Sequence, residues 1–132
     1  MSVSVGVKGT GMASSYRELL VWQKGIGLSV LVYHLSKTFP REEIYGLTSQ
    51  MRRAAVSIPS NIAEGAGRLN TQEYKQYLGV ARGSSFELHT QLTIARELGF
   101  GEIEQVRIAE SACDEIGRML FGVIQALGDK HE

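Results

Sequence analysis

Residues Gln50–Gly65 read QMRRAAVSIPSNIAEG, and this stretch decides the fold. At about 100° per residue, its apolar residues fall on one side of a helix, together with a leucine just before them. This core stripe consists of Leu47, Met51, Ala54, Ile58 and Ile62. A polar stripe with the same spacing flanks it and consists of Gln50, Arg53, Ser57, Asn61, Glu64 and Arg68. The pattern predicts a helix over residues 47–65 that buries one side.

The side of this helix roughly opposite the core stripe carries Val56, Pro59 and Ala63, where a monomer would normally show charged residues. We therefore expect another protein surface to cover it. Pro59 removes a backbone hydrogen bond and clashes with the carbonyl of Ala55, so the helix should kink there or break one or two residues earlier. The polar stripe stays in phase across the proline as far as Arg68, which favours the kink.

The first predicted helix runs from about Tyr16 to Thr38 and ends at Phe39 and Pro40. Apolar residues occupy two of its faces, so we expect it to be covered on two sides. One face carries Leu19, Trp22, Ile26, Val30 and Tyr33, and further leucines stand at Leu20, Leu28, Leu31 and Leu35.

Capping residues mark the third and fourth helices. Asn70 can cap the third helix, with Glu73 completing a capping box, and Gly99 ends it; the fourth lies between Gly101 and Gly128. The turn between them is short enough to force neighbouring helices antiparallel. The third seam is Tyr74, Leu78, Ala81, Ser85, Leu88, Leu92 and Ala95, and the fourth is Val106, Ala109, Cys113, Ile116, Leu120, Val123 and Leu127. The sequence thus predicts an all-α, antiparallel, up-down-up-down four-helix bundle.

The chain of 132 residues suits a single domain. We expect a flexible leader over residues 1–15, the bundle over 16–128 and a short tail over 129–132. A short strand through Val3, Val5 and Val7 is the alternative for the leader. There is no apolar stretch long enough to span a membrane and only one cysteine, Cys113, so a reducing, cytoplasmic location is expected.

Charge is balanced overall, with 14 cationic and 14 anionic residues, but it is divided unevenly along the chain. Cations exceed anions by five up to Arg96, and anions exceed cations by five from Glu97 onward. The acidic pair Glu110 and Asp114 is expected on the solvated side of the last helix.

Motifs for catalysis or metal binding are not recognisable in this sequence. No histidine lies three residues after a Glu or Asp, and Cys113 stands in a core seam, where a thiol is inert. The glycine-rich residues 64–68 lack a preceding strand and are interpreted as a helix end and connector instead of a phosphate loop. We therefore predict no catalytic residues, no cofactor, no metal and no enzymatic activity.

The polar stripe flanks the core instead of opposing it, which favours contacts between helices or subunits. We expect a hydrogen-bonded network joining the second and third helices, in which Arg53 or Arg82 pairs with Glu64 or Glu87. Small residues on the third helix, Gly79 and Gly83, would allow close backbone approach. The alternative is an ordinary hydrated helix surface.

Several motifs in this sequence resemble one family. They are LVWQK at Leu20–Lys24, YGLTS at Tyr45–Ser49, QMRRAA at Gln50–Ala55, VSIPSNIAEG at Val56–Gly65 and GSSFEL at Gly83–Leu88. They are similar to the four-helix-bundle family named for proteins encoded in 23S ribosomal RNA intervening sequences. The resemblance implies a left-handed bundle that forms a ring-like homopentamer, without established enzymatic activity. It also implies signature positions at Gln50, Arg53, Ser57, Asn61, Glu64, Gly65, Gly83, Ser84 and Glu87.

Three functional hypotheses follow. The first is a homo-oligomeric binding module, with RNA as a candidate partner, because accessory proteins of diversity-generating retroelements, a related branch, bind nucleic acid and a reverse transcriptase. The contacts would come from Arg52, Arg53, Arg68, Lys75 and Arg82, brought together by symmetry. The second is a scaffold for a protein partner without nucleic acid. The third is an enzyme with a site between subunits built from Glu64, Asn61 and Arg53.

Overall fold

The computed structural model describes residues 15–128. Within that range every element of regular secondary structure is a helix and there is no strand, so the expected all-α class and four helices are confirmed. The helices are α1 (Leu20–Leu35), α2 (Leu47–Ala66), α3 (Thr71–Leu98) and α4 (Ile103–Leu127). Short 3-10 turns precede α1 at Tyr16–Glu18 and follow it at Ser36–Thr38 and Arg41–Glu43. The leader through residue 14, with its alternative strand, and the tail from residue 129 lie outside the described residues.

Local sequence explains how the two long helices begin and end. Asn70 Oδ1 accepts a hydrogen bond from the backbone N–H of Glu73 at 2.9 Å, which caps α3 as expected. Gly99 ends α3 with φ at 76°, a left-handed conformation that a glycine adopts without strain. Glu102 caps α4 through Gln105 N, so that helix begins two residues later than Gly101.

Each helix packs against its neighbours in cyclic order: α1 against α2, α2 against α3, α3 against α4, and α4 back against α1. The core lies between them, and burial of its apolar side chains is the main driving force for this arrangement. The largest fully buried side chains include Leu35, Met51, Ile58, Ile62, Leu78, Leu88, Leu92, Ile116 and Leu120. The seams of α2, α3 and α4 therefore face the core much as their spacing predicted.

Only one of the two apolar faces of α1 lies against the core. Ile26, Val30 and Tyr33 are 40%, 53% and 45% exposed and point away from the core. The buried residues of this helix are Val21, Gly25, Leu28, Val32 and Leu35. Both faces of α1 are apolar, so the spacing alone could not show which of them faces the bundle.

Pro59 lies inside a continuous α2, so the helix does not break before it. Pro59 is buried, and a Cβ atom added to Gly25 of α1 would lie 3.3 Å from its Cδ. The expectation that Pro59 belongs to an uncovered side is therefore wrong, because α1 covers it. Val56 remains exposed, and Ala63 is half-buried.

A serine from α1 replaces the hydrogen bond that Pro59 cannot make. Proline has no N–H to donate to the carbonyl four residues earlier, which is that of the fully buried Ala55. Ser29 Oγ lies 3.0 Å from the Ala55 carbonyl and 3.0 Å from the Gly25 carbonyl of its own helix. The α1 hydroxyl thus satisfies a buried acceptor on α2, and the two helices can approach closely at this level.

Candidate functional site

A polar cavity of about 420 Å³ opens between α2 and α3. Its lining consists of Gln50, Arg53, Ala54, Ser57, Ser84 and Glu87. All of these except Ala54 are among the predicted signature residues. We refer to this site below as the polar cavity.

Two serines join the helices at one end of the polar cavity. Ser57 Oγ and Ser84 Oγ lie 2.8 Å apart. Asn61 Nδ2 donates to both the carbonyl oxygen of Ser57, at 2.8 Å, and its hydroxyl, at 2.9 Å. The expected hydrogen-bonded network between the second and third helices therefore exists, but it is built from hydroxyl and amide groups.

The ion pairs expected in that network do not form among the described residues. Glu64 pairs with Arg68 at 3.1 Å instead of with Arg53 or Arg82. Arg82 Nε donates to the carbonyl of Gly117 on α4 at 3.3 Å. Its guanidinium also lies over the rings of Phe86 and Phe121. Arg82 faces α4, where the Gly117 carbonyl and the Phe121 ring, together with the Phe86 ring of its own helix, stabilise its charge.

Glu87 forms its hydrogen bond within its own helix. Its Oε2 accepts from Gln91 Nε2 at 3.2 Å. Gln91 is only 6% exposed, and its Oε1 finds no hydrogen-bond partner within the described chain. Sequence reasoning missed Gln91, although its spacing of four and seven residues from Glu87 and Ser84 places it on the same face of α3.

The glycines among the predicted site residues differ in role. Gly65 is buried, and a Cβ atom there would lie 2.7 Å from Tyr77 Cβ and 3.0 Å from Tyr74 Cδ1. Gly65 therefore permits close contact between α2 and α3 and does not line the polar cavity. Gly79 and Gly83 face open space, since a Cβ atom at either would meet nothing within 4 Å.

The five cations proposed to contact RNA are held at separate places in one chain. Arg52 donates to Ser36 Oγ at 2.9 Å and lies over the ring of Tyr33. Arg68 donates to Tyr77 Oη at 2.7 Å, and Lys75 donates to the Gly128 carbonyl at 2.6 Å. Arg82 faces α4 as described, and of the five only Arg53 lines the polar cavity. Their joint role in binding RNA stays a prediction.

An apolar groove of about 300 Å³ runs between α1 and α2 on the outside of the bundle. Its lining includes Trp22, Ile26, Val56 and Ala63, with Pro59 at its base. We define the outer face as these residues, without the buried Pro59, together with the neighbouring exposed Val30.

Glu110 is buried at 9% exposure, so its predicted position on the solvated side is wrong. Arg96 Nε donates to both of its carboxylate oxygens, at 3.1 and 3.2 Å, and Thr93 donates at 2.9 Å. Burial alone raises the pKa of the Glu110 carboxyl, but the hydrogen bonds from Arg96 and Thr93 and the positive charge of Arg96 bring it below its ordinary value. Asp114 is exposed and lies 3.7 Å from His89 Nε2.

The buried thiol of Cys113 lies in the core seam. Burial, together with the charges of Asp114 and Glu110, raises its pKa to about 12. Across residues 15–128, no cluster of three or more His, Cys, Asp or Glu side chains is arranged to hold a metal ion. None of the described helices is long and apolar enough to cross a membrane.

Comparison with known proteins supports this architecture. A solved structure from Bacteroides thetaiotaomicron VPI-5482, a protein with unknown function from the S23 ribosomal protein family, superposes with a TM-score of 0.74. It is 21% identical in sequence, and the match covers 80% of this chain and 99% of that one. At this identity the likeness shows the fold alone. No curated protein matches the chain.

The family model of the 23S rRNA-intervening sequence protein matches residues 17–122, which include all four helices except the last turn of α4. The chain therefore belongs to the 23S rRNA-intervening sequence protein family.

Proposed function

We propose that this chain is a non-enzymatic, homo-oligomeric helical-bundle protein that assembles through the outer face of α1 and α2 and binds a macromolecular partner. The observation that carries the proposal is the apolar character of the outer face. Ile26, Val30 and Val56 are at least two-fifths exposed and adjoin the apolar groove. A second chain packed there would remove this surface from water, at about 25 cal/mol for each Å² of apolar area.

The proposed protomer is a left-handed up-down-up-down bundle with antiparallel neighbours. Contacts between α1 and α2 support the antiparallel order, because Gly25 lies against Ile58, Ser29 bonds Ala55, and Ser36, just after α1, bonds Arg52. Residue numbers thus rise on one helix as they fall on the other. We further propose that copies form a ring, the homopentamer that the family resemblance implies, and that it resides in the cytoplasm.

Sedimentation velocity over a hundredfold range of protein concentration tests the assembly. We expect one species of several chains, with its sedimentation coefficient nearly constant until dilution dissociates it. A single species at the mass of one chain, 14.5 kDa, at every concentration would reject the proposal.

RNA is the first candidate partner, and the cationic excess before Glu97 favours it. Repetition of Arg53 around a ring would strengthen a modest local field. Filter binding with ribosomal RNA fragments over a salt series should show affinity that falls as salt rises. If no affinity appears at low salt, the alternative is a scaffold for a protein partner, and a nuclease-insensitive pull-down would support that alternative.

A further inference from the structure

We infer that the polar cavity between α2 and α3 is a binding site for a small zwitterion, a molecule with one ammonium and one carboxylate group, of the kind that free amino acids are. The inference goes beyond the proposed assembly, because α2 and α3 of one chain supply the whole lining. A volume of about 420 Å³ is sufficient for such a ligand.

Arg53 and Glu87, which carry opposite charges, both line the polar cavity. Arg53 lies one helical turn before Ser57 on α2, and Glu87 lies one turn after Ser84 on α3. The two serines touch, so the arginine and the glutamate flank the space next to that contact. In the part of the chain that the structure describes, no nitrogen of Arg53 lies within 4.0 Å of a carboxylate oxygen of Glu87, so the two form no ion pair. A zwitterion placed between them would offer its carboxylate to the guanidinium and its ammonium to Glu87.

One hydroxyl proton of the pair formed by Ser57 and Ser84 has no acceptor among the described residues. Between Ser57 Oγ and Ser84 Oγ, one hydroxyl donates and the other accepts. The accepting hydroxyl keeps its own proton, which finds no acceptor among the described residues. Ser84 is 8% exposed, and both serines line the polar cavity, so this proton is available to a ligand oxygen there. Together with Arg53 it forms a donor set suited to a carboxylate.

Glu87 provides the acceptor for the ammonium group of the ligand. Glu87 Oε2 already accepts from Gln91, which leaves the other carboxylate oxygen for an ammonium group. The orphaned Gln91 Oε1 belongs to the same amide as the nitrogen that bonds Glu87, so it lies beside this carboxylate. Gln91 Oε1 is buried and Gln91 does not line the polar cavity, so this amide holds Glu87 in place through its nitrogen and does not itself contact a ligand. Flipping the amide would direct its oxygen at the carboxylate, which is repulsive.

Isothermal titration calorimetry on the full chain tests the inference. The probes are glycine, L-serine and L-glutamine, each compared with its N-acetyl derivative, which lacks the ammonium, and its amide, which lacks the carboxylate. We expect saturable binding of at least one free amino acid, and affinity at least about tenfold lower for both of its derivatives. If none of the three binds at millimolar concentration, or if the derivatives bind equally well, the inference is overturned.

Substitutions locate the site. Arg53→Gln and Glu87→Gln should each reduce the affinity at least about tenfold, and Ser84→Ala should reduce it by a smaller factor. Arg118→Gln is the matched control, because Arg118 is exposed on α4 and does not line the polar cavity. Arg53 and Glu87 are exposed, so both variants should keep the wild-type melting temperature and sedimentation coefficient. Unchanged binding in these two variants would contradict the site. Lost binding with an unchanged sedimentation coefficient separates this inference from the proposed assembly.

Discussion

The hydroxyl of Ser29 should be worth more to this protein than a surface serine, because it satisfies a carbonyl that Pro59 leaves without a donor. Ser29→Ala would leave the buried Ala55 carbonyl unpaired. An unsatisfied buried acceptor costs about 1–3 kcal/mol. Ser111→Ala, at an exposed position of α4, is the matched control and should change the free energy of unfolding by less than about 0.5 kcal/mol.

A double-mutant cycle with Pro59→Ala isolates the cause. Alanine at position 59 has an N–H that can bond the Ala55 carbonyl within α2, so the hydroxyl of Ser29 becomes dispensable. Ser29→Ala should then cost at least about 1 kcal/mol less in the Pro59→Ala background than in the wild type. The cycle cancels the packing change that Pro59→Ala itself causes.

Urea unfolding followed by far-UV circular dichroism, with all four proteins at one concentration, measures the four free energies. A fixed concentration is needed because self-association would raise the apparent stability. If Ser29→Ala costs the same in both backgrounds, the hydroxyl does not compensate for the proline and the reasoning is refuted.

Three further predictions concern packing and ionisation. Gly65→Ala should destabilise the fold by about 1–3 kcal/mol, because its Cβ would overlap a tyrosine of α3, whereas Gly122→Ala, which meets nothing, should be neutral or stabilising by up to about 1 kcal/mol in urea unfolding. The lowered pKa of Glu110 means that its carboxylate contributes stability above the unfolded pKa of about 4.3, and that this contribution is lost as pH falls through the folded pKa. The difference in free energy of unfolding between wild type and Glu110→Gln should therefore become smaller only when the pH falls below the unfolded pKa. A difference that does not change with pH would contradict the ion pair. With its pKa near 12, Cys113 should react with a thiol reagent at pH 8 only as fast as the protein unfolds; rapid labelling of the folded protein would contradict its burial.

Periodicity predicted the architecture well where a helix has one apolar face. The α4 seam from Val106 to Leu120 is buried as its spacing indicated, because most apolar residues of that helix fall on one side, although Ile108 and Phe121 are exposed on others. On α1, which is apolar on two faces, the same reasoning could not choose between them, since Val32 and Val30 are equally apolar and only the position of the other helices decides that Val32 lies inside.

The sequence also did not predict which polar side chains contact each other between helices. Glu110 looked solvated from the sequence, but Arg96 of the adjacent helix reaches it and makes its burial tolerable. Likewise, the charges of the polar stripe suggested ion pairs, whereas Ser57 and Ser84 provide the actual link between helices. Such partners depend on the rotation of each helix about its axis, which a single sequence does not specify.

The candidate site was predicted in outline. The polar stripe and the family resemblance together indicated all but one of the residues that line the polar cavity. They could not show that Arg53 and Glu87 form no ion pair with each other, that Gly65 serves packing, or that Gln91 has an unpaired oxygen. Those properties follow from distances between α2 and α3.

The central claim is that copies of this chain associate through the outer face of α1 and α2. Light scattering on wild type, Val56→Asp and Val80→Asp at one concentration tests it most directly. Both valines are exposed in the single chain, but only Val56 belongs to the outer face, so both variants should fold. We predict wild type and Val80→Asp at several times 14.5 kDa, about five chains for a pentamer, and Val56→Asp at or near the mass of one chain. A wild-type protein that scatters as a single chain, or a Val56→Asp variant that keeps the wild-type mass, would contradict the account.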